Sequence, residues 1–175
     1  MIEQIYTKRL YLRKMMMADA HSLFKIWSDP EVTKFMNIIN FTHEEQAKKM
    51  IELFDQFTEE CKAIRLTIIE KESNEIIGSC GFNSFDLKSA TTEIGYDLAK
   101  PYWGKGYAPE SILALIDYAF TTLDINRIEA KVAPGNINSI KVLEKLNFTF
   151  EGTFQEYEES KESSYDINVY SLLKN

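Results

Sequence analysis

A chain of 175 residues with 45% hydrophobic side chains can bury a core of its own, so its fold needs neither disulfides nor a metal. Charged residues at 27%, with only 7 glycines and 4 prolines, exclude collagen-like, low-complexity and disordered classes. The 20 Lys and Arg against 27 Asp and Glu leave a net charge of −7, which disfavours nucleic acid as the main partner and suits a cationic ligand such as an amine.

In chain order, a first strand is expected at 7–13, where Leu10 and Leu12 alternate with Tyr11 and Arg13. A helix at 19–27 places Leu23, Ile26 and Trp27 on one face and is broken by Asp29-Pro30. A second helix starts at Thr42, with Glu45 completing a capping box, and carries Met50, Leu53, Phe54 and Phe57. The connection between them holds Phe35, Met36 and Phe41, read as core packing in preference to a lid over a pocket. Strands at Ile64–Glu70 and 75–83 form a hairpin, and Thr91–Leu98 alternates again with Thr92, Ile94, Tyr96 and Leu98 on one face. A long helix at 108–123 repeats Ile112, Ile116, Ala119, Phe120 and Leu123. A strand at 127–133, a short helix at 138–146 and final strands at 148–156 and 165–173 complete an α/β chain with a largely antiparallel sheet, in one domain over 1–175.

Cys61 and Cys80 fit no metal or redox spacing and read as buried thiols of a reducing compartment. His21 and His43 are too few for a zinc site or a histidine-based triad, so no metal is expected. The N-terminus is not a secretory signal and no stretch is apolar enough to span a membrane, which makes the cytoplasm the expected location and excludes a membrane partner.

The run Pro101-Tyr102-Trp103-Gly104-Lys105-Gly106-Tyr107-Ala108-Pro109-Glu110 leaves a strand and opens the longest helix. Gly104 and Gly106 let several N–H groups converge on one anion, and the helix start adds free donors and partial positive charge. A tight strand–helix connection without a ligand accounts for the glycines equally well. It is not a Walker A loop, because Ala99 and Tyr107 occupy the required Gly and Ser or Thr positions. Pro109 stands where the dinucleotide fingerprint needs a small residue, which leaves a nicotinamide-dependent oxidoreductase a poor reading.

Together, Glu93-Ile94-Gly95-Tyr96-Asp97-Leu98, Trp103-Gly104-Lys105-Gly106-Tyr107-Ala108, Asn136-Ile137-Asn138-Ser139 and Leu143-Glu144-Lys145-Leu146-Asn147-Phe148 resemble the GNAT superfamily of acetyl-CoA-dependent N-acetyltransferases. Thr7-Lys8-Arg9-Leu10-Tyr11-Leu12-Arg13 and Trp27-Ser28-Asp29-Pro30 resemble its bacterial ribosomal-protein (alanine or serine) branch. The resemblance covers nearly the whole chain. It implies a mixed, largely antiparallel sheet of about seven strands with about four helices and a splayed cofactor-binding strand.

The same resemblance implies acetyl-CoA as cosubstrate and an amine as acceptor, and it allows a homodimer. Backbone amides of Gly104, Lys105, Gly106, Tyr107 and Ala108 would hold the CoA pyrophosphate. The strand Tyr96, Asp97 and Leu98 would pair with pantetheine, and one of its N–H groups would stabilise the oxyanion. Asn136 and Ser139 match CoA-side polar positions, although either suits a helix cap. Three positions depart from the pattern: Trp103 replaces Gln or Arg, Leu143 replaces a tyrosine acid, and Asn147 replaces Gly. With Leu143 in place, Ser139 or water would protonate the thiolate. Glu93, or Glu156 and Glu158 near the C-terminal strands, are the carboxylates available as base, with the later segment expected in the ribosomal-protein branch. An acyl-CoA-binding domain without catalysis is the alternative that Leu143 favours.

Overall fold

The computed structural model describes residues 4–36, 38, 40–158 and 162–175. Its 8-stranded sheet runs in the order β1-β2-β3-β4-β5-β6-β8-β7. The strands are β1 (Gln4–Tyr6), β2 (Leu10–Lys14), β3 (Ile64–Glu70), β4 (Glu75–Asp86), β5 (Thr91–Leu98), β6 (Arg127–Val132), β7 (Thr149–Glu158) and β8 (Ser163–Leu173). The helices are α1 (Ala20–Trp27), α2 (Pro30–Thr33), α3 (Glu44–Glu59), α4 (Tyr107–Thr121) and α5 (Ile137–Lys145). Every neighbouring pair is antiparallel except β5 and β6, which the crossover helix α4 makes parallel.

Apolar side chains are buried on both faces of the sheet. Leu10, Leu12, Leu66, Ile68, Phe82, Ile94 and Ile128 pack under α4 and α5, with Ile112, Leu115 and Ala119 of α4 fully inside. The opposite face is covered by α1 and α3, whose Leu23, Trp27, Ala47 and Ile51 form a second cluster with Met15. Cys80 lies in the first cluster, where burial pushes its thiol up to about 12. Cys61 is exposed after α3, contrary to the expectation that both thiols are buried.

The strand expected at 7–13 begins only at Leu10, as β2; residues 7–9 form the turn that joins it to β1, where the Thr7 N–H donates to the Leu10 carbonyl at 2.9 Å. Pro30 ends α1 as expected but opens α2, with Asp29 accepting from the Glu31 N–H at 2.9 Å. The start of α3 lies at His43 rather than Thr42, and Gln46, not Glu45, reaches back to the Thr42 and His43 amides at 2.7 and 3.0 Å. Asn147 is left-handed at φ 66°, the conformation that a Gly substitute at a helix stop must adopt.

Candidate active site at the β5–β6 notch

The parallel pair β5–β6 is short. It joins Thr91–Arg127, Thr92–Ile128, Glu93–Glu129 and Ile94–Ala130 and then opens, while β5 stays paired to β4 as far as Leu98. A bulge lies where it opens: Phe82 faces Ile94 and Ser84 faces Glu93, leaving Asn83 as the extra residue of β4. A bulge steepens the local twist, which turns the end of β5 away from β6. Ala99 donates to the Ile77 carbonyl on β4 at 2.8 Å, so strand alternation directs the backbone groups of Tyr96 and Leu98 into the notch. Trp103 Nε1 already occupies the Leu98 carbonyl at 2.8 Å.

At its outer end the notch meets the start of α4. Gly104 and Gly106 have φ of 72° and 83°, so both glycines are required by the backbone. Among the described residues, the amides of Gly104, Lys105, Gly106, Tyr107 and Ala108 donate to no backbone carbonyl. Arg9 holds this loop from the turn between β1 and β2. It donates to Glu110 Oε1 and to the Lys105 carbonyl, each at 2.8 Å, and its guanidinium lies 4.2 Å from the Tyr107 ring centroid. Burial pushes the Glu110 carboxyl up, but hydrogen bonds from Thr7 and Arg9 outweigh it and hold the group below its ordinary range. Lys105 is the remaining cation of the loop, placed over the Tyr102 ring.

Two chemically different faces border the notch. On the α5 side, the Tyr96 hydroxyl lies 2.9 Å from Ser139 Oγ. Burial raises the Tyr96 phenol above its ordinary value against the pull of Ser139, so it keeps its proton at neutral pH. Asn136 caps α5 by accepting from the Ser139 N–H at 3.3 Å, so the serine hydroxyl is not the cap. Leu143 is buried in the core.

On the opposite side lie carboxylates. Burial pushes the Glu93 carboxyl above its ordinary range, opposed by Lys131 and Asn83 and assisted by Glu156 and Glu129. Glu156 goes the other way: Lys131 at 2.9 Å and Tyr165 at 3.1 Å hold it below the usual range against burial. Glu156, Glu129, Lys131, Arg127 and Phe154 line a groove of about 390 Å³ on this face. Glu158 belongs to β7, opposite Ser163, while Glu159 lies outside the described residues. The Asp97 side chain does not face the loop; it is buried against Arg65 Nη2 at 2.8 Å and Ser79 Oγ. The aromatic connection divides: Phe41 is buried and Met36 packs on the core, whereas Phe35 is exposed beside Gly135 in the β6–α5 turn. Among the described residues no group of acidic, His and Cys side chains is suited to a metal.

A family model for the acetyltransferase (GNAT) domain matches residues 9–149, from the arginine that braces the loop to the first residue of β7. The chain belongs to the GNAT acetyltransferase family. Among its GNAT relatives, the uncharacterized N-acetyltransferase p20 of Bacillus licheniformis is 51% identical over 173 residues, covering 99% of this chain and 97% of p20. The solved structure of the microcin C7 self-immunity acetyltransferase MccE, in complex with acetyl-CoA and AMP, matches with a TM-score of 0.85 and 27% identity, covering 96% and 94% of the two chains. The ribosomal L7/L12 alpha-N-protein acetyltransferase RimL shares the fold at a TM-score of 0.87 and 23% identity, covering 98% of each chain.

The GNAT fold thus brings together Tyr96, Ser139, the 104–108 amides and Glu93, all named from sequence. The Asp97 carboxylate lies behind them, buried on Arg65 and Ser79. Sequence reasoning missed Arg9, Asn83 and Lys131. Arg9 lies inside the quoted N-terminal motif, but its partner Glu110 is 101 residues away and no local spacing reveals it.

Proposed function

We propose that this GNAT protein transfers the acetyl group of acetyl-CoA to a primary amine, by direct attack on the thioester. The observation that carries the reading is the notch itself, with unpaired backbone on β5, free amides at the mouth of α4, hydroxyls on one side and a carboxylate on the other. Acetyl-CoA in the complex of MccE supports the choice of cosubstrate. The 104–108 amides bind the pyrophosphate, and the Tyr96 backbone pairs with pantetheine and offers its N–H to the oxyanion.

Glu93, rather than Glu156, takes the amine proton, directly or through a water. A carboxylate raised by burial is the stronger base, whereas Glu156 is spent on Lys131 and Tyr165. As nitrogen bonds to the acetyl carbon and the C–S bond breaks, Ser139 gives its proton to the departing thiolate. A thiol is a good leaving group, with a pKa near ~8.5 for cysteine, so modest help suffices. Water remains the second source of that proton.

The acceptor is a protein N-terminal α-amine or a small-molecule amine in a reducing, cytoplasmic setting. An α-amine titrates near ~7.7–8.0 and lysine near ~10.4, so a single carboxylate base matches the former better. The buried Leu143 favours a second reading, acyl-CoA binding without turnover. Thiol release from acetyl-CoA over a panel of α-amino peptides, lysine side chains and small amines separates the two. Release with at least one amine, lost in Glu93→Gln and largely kept in Glu156→Gln, is expected. Tight acetyl-CoA binding with no release for any amine would establish the second reading.

A further inference from the structure

Asn83 lies on the acceptor side of the notch and has no register partner on β5, because it is the bulge residue between Phe82 and Ser84. A bulge of this kind re-aims a side chain that regular pleating would send elsewhere. Here the side chain lies across Gly95: a Cβ at Gly95 would stand 2.8 Å from Asn83 Nδ2 and 3.4 Å from Oδ1. Arg65 Nη1 reaches Asn83 Oδ1 at 3.4 Å. Arg65 is itself fixed, its Nη2 on the buried Asp97 carboxylate at 2.8 Å and its Nε on Ser79 at 3.0 Å.

Chemistry settles which way the amide points. A guanidinium only donates, so Oδ1 faces Arg65 and Nδ2 is left as a donor over Gly95, on the face of β5 that Gly95 shares with Glu93, where it opposes the upward push of burial on the Glu93 carboxyl. We infer that Asn83, held by the Asp97–Arg65 pair and accommodated by Gly95, is a positioning residue that fixes the Glu93 carboxylate for the incoming amine. The inference rests on the reading of Glu93 as base. One carboxylate oxygen accepts from Asn83, and the other is free for the amine or its bridging water. The remaining charged groups facing Glu93 are Lys131 and Glu129 from β6, Glu156 from β7 and Asp86 at the end of β4, which lines the same groove.

Removing the donor disfavours the charged form, so the Glu93 titration midpoint must rise. The test is an NMR pH titration of isotope-labelled glutamate carboxyls in the ligand-free full chain, with Glu93→Gln identifying the resonance. Asn83→Leu removes the donor at similar volume on an exposed position. Gly95→Ala keeps Asn83 but displaces its amide, so the test survives if either variant fails to fold. Both are expected to raise the midpoint by roughly one pH unit. The acidic limb of the rate profile should move with it, reducing turnover below the limb by about tenfold. A purely structural role would lower the melting temperature and leave the midpoint in place. An unmoved midpoint in the folded variants overturns the inference while leaving Glu93 as base. An acidic limb that survives in Glu93→Gln removes the base, and the positioning role falls with it.

Discussion

Ser139 shows how two residues can divide roles that sequence leaves merged. Its N–H is tied to the Asn136 side chain, while its hydroxyl is tied to Tyr96. Loss of the cap should therefore affect stability, and loss of the hydroxyl should affect turnover. Asn136→Ala is expected to cost about 1 kcal/mol in chemical denaturation. Ser139→Ala is expected to lower kcat at least ~10-fold while the CoA dissociation constant and melting temperature stay near the parent's, read by steady-state kinetics and calorimetry. A stability loss without a kcat loss would return the hydroxyl to a structural role. A second residue-scale test concerns Asp19, which is buried against Arg13 and Thr67 at 2.8 Å each. Burial pushes its carboxyl up, but hydrogen bonds from Arg13, the Met16 N–H and Thr67 prevail and hold it below 3.8. A lowered carboxyl contributes stability that is present above its unfolded pKa and lost as pH falls through the folded one. Acid titration of the melting temperature should show that loss below about pH 4. In Arg13→Met, which leaves the acid buried without its partner, stability at neutral pH should fall by about 3 kcal/mol.

The loop and α4 act as one element, and it is here that sequence was most informative. Two glycines, a following Pro and an acid in the first turn announce the helix start locally, and the structure places each there with φ of 72° and 83° at Gly104 and Gly106. What holds the loop in place was not legible, because Arg9 arrives from the distant turn between β1 and β2. The first strand was misjudged for a related reason: its alternating leucines have the right period, but the Thr7 turn depends on bonds to Glu110 and Leu10. The two glycines should respond differently to substitution. A Cβ at Gly104 meets nothing within 4 Å, whereas at Gly106 it meets Arg9 Nη2 at 3.2 Å. Gly104→Ala should carry only the left-handed backbone penalty, about 1 kcal/mol. Gly106→Val should in addition disturb the brace and weaken CoA binding by at least ~10-fold. Equal binding by parent and Gly106→Val in calorimetry would detach the loop from the pyrophosphate.

At the scale of the whole molecule, the sheet is two antiparallel groups of strands, β1 to β5 and β6 to β8, joined by one short parallel seam. Periodicity predicted the strands and the crossover helix, because a buried face repeats every second residue along a strand and every 3.6 along a helix. The opening of the seam left no such mark: it depends on the Asn83 bulge, and one extra residue in a strand does not disturb composition or hydropathy. The functional consequence is that amides, hydroxyls and the Glu93 carboxylate from distant segments share one notch. Hydrogen–deuterium exchange with and without saturating acetyl-CoA tests that placement directly. The account predicts protection concentrated in 95–98 and 104–108, with no response to NAD. Protection elsewhere on the molecule, or none under conditions where acetyl-CoA is bound, would contradict it.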